Sequence, residues 1–212
     1  IATLNGEAIN ISFDDLTHEY HRYVYRLQHC EADWSVSEGI FESDYCEGFA
    51  DGSTIDDIEE SLNTNTLYTH YRLSIPNENC RIKMSGNYRL TVYDENEGDT
   101  VFTACFMVVE PVMGVGLGVV TNTDVDVNNR HQQVEMDLRY NDAFNITDYR
   151  RQIKTVVLQN GRWDNAVWNS QPQYVTNEGL RWQHCRQLIF PGGNEYRKFE
   201  MLDMNHTTMG LE

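Results

Sequence analysis

The chain predicts an all-β protein of two tandem antiparallel β-sandwich domains, and three observations carry that expectation. Apolar side chains recur at period two rather than at the helical period of about 3.6. Short strand-length runs are separated by Gly, Pro, Asn and Asp turns, and one proline-marked break divides the strands into two sets. With 212 residues, 40% of them hydrophobic, and 4 prolines, the chain can build one large core or two of about a hundred residues each.

In the first set, Ile9, Ile11 and Phe13 share one face of a strand. YHRYVYRLQHC (20–30) sets Tyr23, Tyr25 and Leu27 on one side. IDDIEESL (55–62), preceded by Thr54 as a cap with Asp57 three residues on, predicts a helical turn or two. Tyr71, Leu73 and Ile75 mark the next strand, and Tyr88, Leu90 and Val92 the one after it. The turn DENEGD then closes a hairpin onto VFTACFMVV (101–109), which is apolar on both faces, as in a central or sandwich strand. Cys105 within that run is expected to pack in the core as a small hydrophobe. Glu110-Pro111 ends the set, because Pro cannot donate to a ladder and biases its predecessor toward extended backbone. The expected domains are therefore 1–110 and 111–212.

The second set opens with MGVGLGVV, a glycine-spaced segment expected as a flexible strand between the domains. HQQVEMDLRY (131–140) follows with Val134, Met136 and Leu138 inward, then QIKTVVLQ, RWDNAVW, LRWQHCRQLIF and NEYRKFEML. In VVLQNGRWDN (156–165), Asn160 and Gly161 suit the positive φ angles of a two-residue type I′ turn. A strand folding straight back would set Leu158 across from Trp163. Strands of this length, with Tyr88 beginning a late one, match sandwiches of the fibronectin type III or immunoglobulin-like kind.

Charge narrows the partners. The formal charge is −17, and residues 1–110 hold 21 acidic against 6 basic residues, while 111–212 hold 12 against 10. From Leu27 to Tyr71 there is no Lys or Arg, which disfavours nucleic acid and anionic membrane and leaves a cation or basic partner open. No run approaches the roughly twenty apolar residues of a spanning helix, so the chain is not expected to cross a membrane itself. A start at Ile1 is expected of a trimmed chain. Five cysteines without a CxxC pair signal neither a dense disulfide framework nor a zinc knuckle; whether any two pair stays open.

Candidate chemistry is sparse. Gly114, Gly116 and Gly118 spell GxGxG, but VVTNTDVDVNN after it cannot open the helix a dinucleotide site needs. Asp124, Asp126, Asn128 and Glu135 fall at positions 1, 3, 5 and 12 of a calcium-loop pattern. That pattern lies between helices, whereas Glu135 sits in a strand, so no metal ligand is assigned. His18 and His21 sit three apart and His29 adjoins Cys30, but three-residue spacing on a strand projects to opposite faces, so no single convergent metal site is expected; His70 with Tyr71, and His184 with Cys185, have no nucleophile, base and orienter around them in sequence. No catalytic residue and no cofactor are expected. Trp163, Trp168, Tyr174 and Trp182 cluster within twenty residues; most would fill a core, and Trp168 and Tyr174 are the expected exposed pair, suited to a partner or a glycan.

Several words together have a family likeness: HCEADW (29–34), TLYTHYRLSIPNE (66–78), SGNYRLTVYDE (85–95), FMVVEP (106–111), VVLQNGRWDNA (156–166) and FPGGNEYR (190–197). Nearly the whole chain resembles the N-terminal portion of the type IX secretion system plug proteins, once known only as a domain of unknown function. The resemblance implies a non-catalytic protein of the Gram-negative cell envelope, in the periplasm at the inner side of the outer membrane. Its partner would be a large outer-membrane β-barrel translocon, whose periplasmic mouth it would plug or gate by protein–protein binding. It also implies a region beyond Glu212 in family members, and it assigns no catalytic or pore-contacting residue. The rival expectations are a cell-envelope glycan-binding accessory module, motivated by the aromatic cluster, and an enzyme.

Overall fold

The computed structural model describes residues 1–17 and 19–193, and it is mostly β-strand with few helices. The chain divides into two compact units, Ile1–Pro111 and Val112–Glu212.

The first unit runs β1 (Ala2–Thr3), β2 (Ile9–Asp15), β3 (Tyr23–Cys30), α1 (Glu42–Tyr45), β4 (Cys46–Gly48), β5 (Asp51–Thr54), β6 (Asp57–Glu60), β7 (Thr69–Ile75), β8 (Cys80–Ile82), β9 (Gly86–Asp94) and β10 (Thr100–Val109). One sheet has the order β1-β10-β9-β3-β5, a second β2-β7-β6, and β4 pairs with β8. All pairs are antiparallel except β1 with β10. The sheets share one core. Tyr25 and Leu27 of β3, Leu90 and Val92 of β9, Tyr71 and Ile75 of β7 and Ile82 of β8 all belong to it. Each large apolar side chain so buried contributes roughly 1.5–3 kcal/mol. Phe13 of β2 bridges the two larger sheets, stacked on Tyr71 at 5.1 Å and edge-on to Phe102 of β10 at 5.0 Å. Tyr88 near the start of β9 stacks on Phe106, and its hydroxyl donates to the Met84 carbonyl at 2.7 Å.

Two expectations for this unit are corrected. The segment expected as a helical turn, 55–62, contains β6. Pairing with β7 places Ile58 opposite Tyr71 and lets Arg72 bond both Asp57 and Glu59, partners that an isolated helical turn would lack. The run 101–109 lies between β1 and β9, but only one of its faces is buried. Phe102, Phe106 and Val108 turn inward while Val101 and Cys105 face outward and are exposed. Cys105 is therefore not core packing.

The second unit runs β11 (Gly114–Val120), β12 (His131–Arg139), α2 (Tyr149–Gln152), β13 (Val156–Val157), β14 (Val167–Trp168), β15 (Tyr174–Val175), β16 (Gly179–Trp182) and β17 (Ile189–Pro191). Its sheet has the order β11-β12-β16-β15, and β17 pairs with the first residues of β12. Val134, Met136 and Leu138 face inward as expected, against Leu180, Trp182, Leu188 and Phe190. The Trp182 indole N–H donates to the Ser170 carbonyl at 2.9 Å, which satisfies its one polar atom in the core.

Here the strands are shorter than their sequence suggests. The run 180–190 splits into β16 and β17, both against β12, with a 3₁₀ turn at Arg186–Leu188 between them. MGVGLGVV is no loose connector: among the described residues it is an edge strand, paired with β12 from Gly114↔Arg139 to Val120↔Gln133. Val115, Leu117 and Val119 lie opposite Leu138, Met136 and Val134, yet are themselves 64%, 63% and 56% exposed. NEYRKFEML lies outside the described residues.

The Asn160-Gly161 turn forms with both φ angles positive, and the Arg162 N–H donates to the Gln159 carbonyl at 3.1 Å. The strands do not follow it. A ladder continued from that turn would pair Val156 with Asn165, whereas Val156 pairs with Trp168 and Val157 with Val167. A second turn intervenes, in which the Ala166 N–H donates to the Trp163 carbonyl and the Asn165 amide reaches Gln159 Oε1. Leu158 is therefore not the partner of Trp163.

Candidate functional site

The shifted hairpin brings Trp163 beside Trp168, ring centroids 5.9 Å apart and tilted by 34°. Each is 44% exposed, so the pair presents apolar ring surface to solvent. Tyr174, the other expected exposed aromatic, lies on β15 opposite Arg181. It lines a groove of ≈ 530 Å³ with Tyr140, Asp137, Arg139, Glu178 and Arg181. The expected pair Trp168 and Tyr174 thus belongs to two separate aromatic features.

Local chemistry builds the groove. Thr176 and Gly179 close the β15–β16 turn, the Thr176 N–H donating to the Gly179 carbonyl at 2.9 Å. A Cβ at Gly179 would come within 1.9 Å of the Leu138 carbonyl, so only glycine lets β16 sit this close to β12. Arg181 donates to Asp137, which raises the guanidinium above its ordinary range and fixes an ion pair on the groove wall. An exposed phenol ring flanked by charged hydrogen-bonding groups can stack on the apolar face of a sugar or anchor a protein side chain.

The residues with calcium-loop spacing are otherwise engaged. Asp124 accepts from Gln133 Nε2 and from His184 Nδ1, both at 2.8 Å, and these bonds lower its carboxyl. Asp126 accepts from His131 Nδ1, from the Arg130 N–H and from the Thr123 hydroxyl, and is lowered first by His131. Asn128 accepts from the Thr121 hydroxyl, and Glu135 sits on β12 opposite Gly118. These bonds pin the loop between β11 and β12. Among the described residues no three His, Cys, Asp or Glu side chains are grouped to hold a metal ion.

His18 lies outside the described residues, but His21 heads a cluster that sequence spacing did not reveal. Its Nδ1 is 2.9 Å from Asp94 Oδ2 and its Nε2 3.8 Å from Asp15 Oδ2. Asp15 also accepts from the Tyr23 hydroxyl at 2.9 Å, and the Tyr71 hydroxyl donates to the His21 carbonyl at 3.1 Å. Hydrogen bonding to Asp94 raises the imidazole, and the same bond lowers Asp94. Burial pushes Asp15 up, but its bonds from Thr17 and Tyr23 and the nearby imidazole outweigh that and leave it lowered. The cluster clamps the ends of β2, β3 and β9 together. His29 bonds Ser37 through Nδ1 at 2.8 Å while its Nε2 faces the Ser85 carbonyl at 3.2 Å, where an acyl-transfer triad would need a carboxylate on the ring.

Comparison with known proteins gives this geometry its context. A family model described as the type 9 secretion system plug protein 1st domain matches residues 1–110. The chain belongs to the type 9 secretion system plug protein family. A crystal structure of a hypothetical protein from Parabacteroides merdae is similar to it at 43% identity and a TM-score of 0.83. That similarity covers 98% of this chain and 52% of the other, so the chain spans about half the length of that relative. No curated protein matches. In this plug-family chain the matched residues form the first unit, while the tryptophan pair and the Tyr174 groove lie in the second, beyond the family match.

Proposed function

We propose that this chain is part of a non-catalytic, periplasmic component of type IX protein secretion, which plugs or gates the outer-membrane translocon by binding it. The observation that carries this reading is the plug-protein match over residues 1–110. The acidic first unit, with 21 acidic and 6 basic residues in 1–110, supports a protein partner over nucleic acid or an anionic membrane. No described helix is long and apolar enough to cross a membrane. We also read the units as sandwich modules. In the first, the strand order β1-β10-β9-β3-β5 beside the sheet β2-β7-β6, and the Tyr88 hydroxyl bonded back to Met84, support an immunoglobulin-like reading.

The test is capture from the native envelope. Tagged full-length protein, recovered after mild crosslinking, is expected to bring down an outer-membrane β-barrel; recovery without any such barrel would overturn the reading. Binding of a cell-envelope glycan is the second reading, favoured by the exposed Trp163–Trp168 rings and by Tyr174 in its groove. Calorimetry against a panel of polysaccharides decides it. Trp168→Ala or Tyr174→Ala should weaken a measured affinity by about tenfold, and an unchanged affinity in both would reject the stacking role.

A further inference from the structure

We propose that Cys46 and Cys80 form a disulfide that staples β4 to β8 in the oxidised protein. Their sulfurs are 3.1 Å apart, and both residues are buried at 2% and 1% exposure. That separation is already inside the roughly 3.5–4.0 Å optimum of ordinary non-bonded contact. A disulfide bond is about 2.0 Å long, so the two sulfurs need to come about 1 Å closer.

The ladder explains the approach. Cys46 pairs with Ile82 and Gly48 with Cys80, so both cysteines point to the same face and stand diagonal to one another. Gly48 puts no side chain between them. It has φ +97°, and a Cβ there would meet the Asn79 carbonyl oxygen at 2.1 Å, so the position is closed to other residues. The remaining cysteines lie elsewhere: Cys105 is exposed, Cys30 leans toward the Gln28 carbonyl, and Cys185 leans toward the Gln171 carbonyl in the second unit.

The bond closes by thiol–disulfide exchange during folding, before the core seals over the sulfurs. The Cys46 thiolate attacks one sulfur of a low-molecular-weight disulfide such as glutathione disulfide and expels one thiolate. The Cys80 thiolate then attacks the Cys46 sulfur of the mixed disulfide and expels the second. The two protein thiols are oxidised to one S–S bond, the small disulfide is reduced to two thiols, and those thiols take the two protons.

The experiment refolds the 212-residue chain in glutathione disulfide and glutathione, with a parallel sample in dithiothreitol. The oxidised sample should be lighter by about 2 Da, the mass of two hydrogens. Alkylation in denaturant should then label three of the five cysteines, against all five in the reduced sample. Peptide mapping should recover one crosslink, between the Cys46 and Cys80 peptides. Five alkylated cysteines in the oxidised sample, or a crosslink joining any other pair, overturns the proposal. Cys46→Ser and Cys80→Ser should each abolish the mass loss, and its retention in either also overturns it. The wild-type map decides alone if a variant fails to fold.

Discussion

Tyr88 shows how much a single side chain holds here. It is fully buried, stacks on Phe106 at 5.7 Å and ties its hydroxyl to Met84. Tyr88→Phe keeps the ring and removes only the hydroxyl, leaving the Met84 carbonyl without that donor. Stability should fall by about 1–2 kcal/mol, measured as a lower urea midpoint with an unchanged slope. At this scale the sequence was legible where burial follows alternation, as at Tyr23, Tyr25 and Leu27, all inward. It was not legible where a contact joins distant residues. Cys46 meets Cys80 across 34 positions and His21 meets Asp94 across 73, and no local pattern encodes either. The Asn160-Gly161 turn chemistry points to Leu158 as the strand partner of Trp163, but a second turn next to it sets the ring beside Trp168.

Between elements, the cluster at the ends of β2, β3 and β9 makes stability depend on pH in a definite direction. His21 is raised above 6.5, so its contribution is complete below that pH and is lost as pH rises through the folded value. Asp15 and Asp94 are lowered below 3.8, so theirs is present above that pH and is lost as pH falls through their folded values. The first unit should therefore be most stable between those limits. Its melting temperature should drop on the alkaline side, as pH rises above 6.5, and His21→Gln should flatten that limb. A melting temperature flat across this range in the parent chain would show that the imidazole does not carry the linkage.

The strands themselves were legible as an all-β chain, and the misreadings have physical causes. IDDIEESL spaces its isoleucines as a helix would, yet Arg72 and Tyr71 on β7 offered it a ladder with matched charge and packing. VFTACFMVV is apolar on both faces, but only the face of Phe102, Phe106 and Val108 meets the core, and Val101 and Cys105 are left outward. Periodicity reports which side chains can be buried; topology decides which are.

Across the whole molecule the two units are built differently. The first concentrates the acidic charge and gathers side chains of its sheets in one shared core, whereas the second leaves an apolar stripe open along one strand. That stripe is Val115, Leu117 and Val119 on β11, the edge of its sheet among the described residues. An edge with free main-chain groups and a greasy side is a template for joining a like strand. In the test tube this chain should therefore be a poor solution citizen, scattering more light per molecule as concentration rises. One lysine at its centre should cure it: Leu117→Lys sets a charge where a neighbouring strand would dock. Light scattering of the two proteins side by side is the check, and identical concentration dependence would mean that the stripe does not set their colloidal behaviour.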